Sequence, residues 1–116
     1  LFIVSAVSGC LVVIFGAFGV HGLKDILDLD GKSIYEKAVL YQMFHTLVML
    51  ILGVMENIIP EIKLQMVGWA FLMGMMLFSG SLYILAVTDI KWLGMITPIG
   101  GMLFIIGWVL LLFKMF

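Results

Sequence analysis

The stretch AVLYQMFHTLVMLILGVM, residues 38–55, decides the fold. It runs for 18 residues without a charged side chain, between Glu36-Lys37 on one side and Glu56 on the other. At about 1.5 Å per residue a helix of this length reaches about 27 Å, close to the roughly 30 Å hydrocarbon thickness of a bilayer. The run has no period-2 alternation, and lipid tolerates no unpaired backbone groups, so a helix is the reading its residues support. Three similar runs surround it, at about 1–20, 64–87 and 93–113. All seven acidic residues and five of the six lysines fall in the three short connections between these runs. Composition agrees: 65% of the 116 residues are hydrophobic and 11% charged, with a mean hydropathy of +1.30. A soluble domain averages about 45–50% apolar and about 25% charged residues, so this chain lacks the polar material to cover a water-facing surface. The expectation is an all-α protein, an integral membrane four-helix transmembrane bundle forming a single four-span domain over 1–116, multi-pass in the cell membrane.

The same counts exclude several function classes. A net charge of −1 offers no basic stripe for nucleic acid. The one cysteine, Cys10, permits neither an internal disulfide nor a CxxC pair. The first run lacks the basic lead and the A-x-A site of a cleaved signal peptide, so it reads as a retained span. We call the side bearing the first and third connections face B, and the opposite side face A. Lys24, Lys32, Lys37 and Lys91 lie on face B, against Lys63 and Lys114 on face A. Two basic residues ahead of Leu1 would cancel that four-to-two bias, so it leaves the orientation open.

In the first connection, Gly22 to Ser33, the pair Ser33 and Glu36 has capping-box spacing and predicts that the second helix starts at Ile34. Asp28-Leu29-Asp30-Gly31 lacks the full calcium-loop frame and reads as a turn with solvated carboxylates. Pro60, preceded by Glu56 and Asn57, marks the other limit of that helix. Thr97-Pro98 predicts a kink in the fourth helix. Trp92, Trp69 and Trp108 read as interfacial belt residues, and the ten methionines as packing fillers.

Polar residues within the spans are costly in lipid and tend to face the bundle interior. At 100° per residue Ala38, Tyr41, Gln42, His45, Met49 and Gly53 share one face of the second helix. Ser79 and Tyr83 share a face of the third, with Ser81 pointing elsewhere, and Gly94, Thr97, Pro98 and Gly101 share a sector of the fourth. Counted from face B, Gln42, Tyr83 and Thr97 lie about 6 Å deep, His45 about 10 Å and Ser79 about 12 Å. His21 sits at the face B end of the first helix. The expected cluster is therefore His21, Tyr41, Gln42, His45, Ser79, Tyr83 and Thr97, gathered in the face B leaflet, with an almost purely apolar face A half. Small residues mark the helix contacts: Ser5, Gly9, Gly16 and Gly19 on the first helix, Gly74 with Ser81 on the third, and Gly94/Gly101 and Gly100/Gly107 on two faces of the fourth. Two such faces suit two neighbours, one of them a second subunit.

The chemistry read from these residues is sparse. His21 and His45 differ in depth by about 10 Å, and no cysteine or carboxylate completes a metal set, so no metal or haem is expected. A small multidrug exporter depends on a carboxylate inside a span, and here every acid lies in a connection. Ser79 and Ser81 have no base at activating spacing, so no enzymatic activity and no cofactor are expected.

Four segments do carry a resemblance. Gly16-Ala17-Phe18-Gly19-Val20-His21-Gly22, Tyr41-Gln42-Met43-Phe44-His45, Phe78-Ser79-Gly80-Ser81-Leu82-Tyr83 and Thr97-Pro98-Ile99-Gly100-Gly101 resemble, in order, the GAFGxHG, YQxxH, FSGSLY and TPIGG patterns of the membrane family known as domain of unknown function 423. That family is related to the eukaryotic transmembrane protein 256 group. The resemblance implies a four-span bacterial membrane protein without an established activity, and it supplies no catalytic residue. The leading expectation is a protein that acts through contacts with the lipid bilayer and with a homo-oligomeric or other membrane-protein partner, its polar cluster fixing helix packing. The alternative is a pore or carrier for a small solute, lined by Gln42, His45, Ser79 and Thr97. A haem protein ligated by His45 is the third.

Overall fold

The computed structural model describes residues 1–115, the Val20 side chain excepted. Four helices follow one another: α1 (Phe2–His21), α2 (Leu29–Ile58), α3 (Gln65–Thr88) and α4 (Thr97–Met115). Short 3₁₀ turns occupy Pro60–Ile62 and Lys91–Met95. Each of the four is long and apolar enough to cross a membrane. Their outer surface is a continuous coat of exposed Ile, Leu, Val, Met and Phe side chains, from Ile3 and Val13 to Ile105 and Phe113, as a lipid environment requires.

Helix α2 begins five residues earlier than the capping box predicts. Asp28 is its N-cap, in extended backbone geometry, and its carboxylate accepts the Gly31 N–H at 2.6 Å. Asp28 reaches the free N–H groups first, so Ser33 and Glu36 fall inside a helix already started. The helix spans 30 residues, about 45 Å at 1.5 Å per residue. Its first turns, bearing Asp30, Lys32, Glu36 and Lys37, therefore stand beyond the hydrocarbon. At the face A end the Glu56 carboxylate accepts the Leu64 N–H and the Gln65 side-chain amide, both at 2.9 Å, tying α2 to the start of α3.

The fourth apolar run is broken rather than kinked. A 3₁₀ turn holds Lys91–Met95, and α4 starts afresh at Thr97 with Pro98 as its second residue. There the missing proline N–H leaves no helical bond broken, so the ring stops the preceding turn from continuing without straining the helix that follows.

Packing proceeds in chain order, α1 on α2, α2 on α3 and α3 on α4. The bundle is flattened, with extents of 49 × 26 × 15 Å, and α1 and α4 lie toward opposite edges. Glycines set the closest approaches. A Cβ on Gly100 would run into the α3 backbone at Leu77 and Phe78, and one on Gly107 would lie 2.6 Å from the Phe71 ring. Gly9 and Gly16 face Thr46 and Val39 of α2, and Gly19 seats the Tyr35 ring. The main apolar core, around Met49, Leu52, Leu64, Val67 and Phe71, fills the face A half. A smaller one, Leu23, Leu27 and Tyr35, closes the face B end.

Candidate functional site

The flattened packing places two groups of interior polar side chains on opposite flanks of α2, with the buried Ser5 and Ser81 outside both. On the α1 and α3 flank Gln42 is the hub. Its Oε1 accepts the Tyr83 hydroxyl at 2.7 Å, and its Nε2 donates to the Ser8 hydroxyl at 3.2 Å and, more weakly, to the Ser8 carbonyl at 3.4 Å. Ser8 and Thr46 hydroxyls lie 2.6 Å apart, and Thr46 donates to the Gln42 carbonyl at 2.6 Å. A hydroxyl has one proton, so with Thr46 directed at that carbonyl, Ser8 is the donor to Thr46. The bonds then run one way, from Tyr83 to Gln42 to Ser8 to Thr46 and back to the α2 backbone. Ser79 donates across to the Ala38 carbonyl of α2 at 2.8 Å. Nearer face B, Tyr35 donates to the Phe15 carbonyl of α1 at 2.6 Å, and its ring meets Tyr83 edge-on with centroids 5.1 Å apart.

On the α4 flank His45 is the centre. It is 3% exposed, and its ring stacks on Phe104 with centroids 3.7 Å apart and planes 6° from parallel. Nδ1 lies 2.9 Å from the Tyr41 carbonyl, and the Trp108 indole N–H donates to Nε2 over 3.3 Å. A carbonyl only accepts and an indole only donates, so together these bonds require the Nδ1–H tautomer. Both ring nitrogens are engaged, and among the described residues no three His, Cys, Asp or Glu side chains converge to hold a metal ion.

The expected cluster is thus redistributed. Gln42, Tyr83 and Ser79 meet between α1, α2 and α3, while Tyr41 and His45 face α4. Tyr41 is not on the buried face: it is 40% exposed and packs on Phe78. Thr97 stands apart, its hydroxyl 2.6 Å from that of Ser81, and His21 is exposed at the end of α1. The almost purely apolar face A half holds Ser5, which is 2% exposed and whose hydroxyl has no hydrogen-bond partner among the described residues. Ser8, Thr46 and Trp108 were missed as site members. Ser8 and Thr46 carried one available signal, a hydroxyl inside an apolar run, whereas Trp108 read as an interfacial anchor.

Two spaces adjoin these groups. A lateral groove of about 740 Å³ runs between α2 and α4, and its lining includes His45 and Phe104 together with Leu40, Phe44, Met102 and Ile105. A smaller space of about 180 Å³ lies between α1 and α3, beside Ser8, Gln42, Ser79 and Tyr83. Four long apolar helices, an apolar outer surface and polar groups bonded to one another inside define a multi-pass integral protein of the cell membrane.

The chain belongs to the family described as "Protein of unknown function (DUF423)", whose model matches residues 15–101. It is 48% identical over 114 residues to a UPF0382 membrane protein of Staphylococcus aureus, covering 98% of this chain and 93% of that one. A UPF0382 membrane protein of Staphylococcus saprophyticus is 46% identical over 98% of this chain and 94% of its own. One from Staphylococcus epidermidis is 48% identical over 94% of this chain and 88% of its own. No solved structure matches. The matched region contains every residue of the expected cluster, but Ser8 precedes it.

Proposed function

We propose that the protein acts through contacts within the bilayer, as a homo-oligomer or as the accessory subunit of another membrane protein, and carries no catalytic chemistry of its own. The observation that carries this reading is the groove between α2 and α4. It is apolar, opens toward lipid and lies beside Gly101. A Cβ on Gly101 would meet only Phe78, at 3.8 Å, and one on Gly94 would meet nothing within 4 Å. The α4 face through Gly100 and Gly107 serves α3, so the neighbouring surface at Gly101 is open to a helix from another chain; Gly94 lies in the 3₁₀ turn before α4, so the expected Gly94/Gly101 pair does not form one helix face. The interior polar groups support the same reading, because they bond to each other across helices and so serve packing.

The test is cysteine crosslinking in native membranes. In a Cys10→Ser background, Met102→Cys and Ile105→Cys are oxidised, with Ile3→Cys on the far edge as control. The reading expects a crosslinked product from the groove positions and none from the control. Monomer alone, with the groove thiols reacting freely with a maleimide, would overturn it. A second reading, a carrier for a small weakly polar solute, is favoured by the space beside Gln42 and Tyr83. Solute flux into proteoliposomes that is abolished by Gln42→Leu would establish it over the first.

A further inference from the structure

A third space, of about 480 Å³, lies at face B between the end of α1, the connection at 22–28 and the first turns of α2. Its lining includes Lys24, Lys32 and Glu36 together with the apolar Val39, Leu40 and Met43. Gly16 forms part of the α1 wall, so the cleft is bounded there by backbone, while at Gly19 the Tyr35 ring covers the helix and lines the cleft. We propose that this cleft holds one anionic phospholipid, its phosphodiester held by the Lys24 and Lys32 ammonium groups and an acyl chain laid along Val39, Leu40 and Met43.

Shape, depth and charge agree on that occupant. From Lys32 to Met43 the cleft follows α2 for about 16 Å at 1.5 Å per residue, from turns outside the hydrocarbon to residues within it. A free phosphate would meet the charged end and leave the apolar wall bare, whereas an amphiphile satisfies both. The long lysine stems can follow the apolar surface while their ammonium groups stay at headgroup level. Two lysines and one glutamate give a charge of +1, which complements the single negative charge of a phosphodiester such as phosphatidylglycerol. The excess of acids elsewhere on face B does not share the cleft: Asp25, Asp28 and Asp30 are exposed and absent from its lining. Basic pockets between spans on one side of a membrane are recognised headgroup sites.

The full chain is reconstituted in phosphatidylcholine vesicles containing either spin-labelled phosphatidylglycerol or spin-labelled phosphatidylcholine, and the protein-bound fraction of each label is compared. The expected result is a preference for phosphatidylglycerol that falls about fivefold in Lys24→Gln and again in Lys32→Gln, the contribution of one lysine near an anionic headgroup. Lys37→Gln, on the same face but outside the cleft, and Lys63→Gln, on face A, leave the preference unchanged. Added glycerol phosphate does not displace the bound lipid. Equal binding of the two labels, an equal loss in Lys37→Gln, or displacement by glycerol phosphate would overturn the proposal: the first denies the site, the second reduces it to diffuse surface charge, and the third makes the ligand a free phosphate ester.

Discussion

Replacing Gly100 by alanine adds one methyl group where α4 meets α3. Its Cβ would lie 2.8 Å from the Leu77 carbonyl carbon and from the Phe78 Cα, and closer still to the Phe78 nitrogen. Carbon atoms at rest are about 3.5–4.0 Å apart, and the obstacle is backbone, so no rotamer change relieves it. Helix α4 must withdraw by about 1 Å, and a gap of that size forfeits up to about half of the dispersion energy of each opened contact. The same seam holds Gly74 against Phe104 and Gly107 against Phe71, so the loss extends along it. Overpacking of this kind costs about 1–3 kcal/mol. Gly80→Ala is the control, because a Cβ there meets nothing within 4 Å. Both positions lie in helices that stay hydrogen-bonded in lipid after the bundle separates, so the helix-propensity gain of alanine largely cancels. Reversible denaturation in bicelles, followed by energy transfer between labels on α3 and α4, should give Gly80→Ala near wild type and Gly100→Ala less stable by about 1–3 kcal/mol. Two variants within about 0.5 kcal/mol of each other would refute the close approach.

Three further outcomes follow from the polar groups and the caps. Gln42→Leu removes the bonds to Tyr83 and Ser8 and should cost about 1 kcal/mol, since interhelical bonds in membranes average about 0.6 kcal/mol; a double-mutant cycle with Tyr83→Phe that shows no coupling would contradict the bond. His45→Ala should cost at least about 0.6 kcal/mol, with about 1.7 as the upper value for a membrane hydrogen bond, and lost stacking on Phe104 adds to this. With Trp69 and Trp92 changed to phenylalanine, the same variant should shift the emission of Trp108, and an unchanged spectrum would place the indole elsewhere. Asp28→Ala should raise amide exchange at Gly31 and Lys32 and cost about 1 kcal/mol of α2 start stability, as N-cap losses do. Ser33→Ala should leave that exchange unchanged, and the reverse order of sensitivity would restore the capping-box start.

The four spans were legible because lipid imposes a requirement visible in composition alone: every charge must sit where water reaches. The inward face of α2 was legible too, at Ala38, Gln42, His45 and Met49, because helical periodicity is local. What spacing cannot convey is the order of packing. The interior residues were expected to converge on one site, but α1 and α4 flank α2 from different sides and draw Gln42 and His45 apart, although they are only one turn from each other. Ser8 escaped notice because serine serves both as a small contact residue and as a hydroxyl donor, and only the nearness of Gln42 and Thr46 decides between them. Asp28 and Ser33 are both good caps. Tertiary packing of Leu23 and Leu27 beneath Tyr35 favours the earlier start, which no local pattern ranks.

The unbroken length of α2 gives the molecule a mechanical property. His45 faces the lateral groove, and the Asp28 cap ends the same helix about 26 Å away at 1.5 Å per residue. No proline interrupts the rod between them, so it tilts as one piece. A rotation of about 10° about His45 carries the capped end roughly 4 Å sideways over that arm. Whatever seats itself against His45 inside the bilayer therefore touches the same unbroken helix that carries the charged turns at the water's edge.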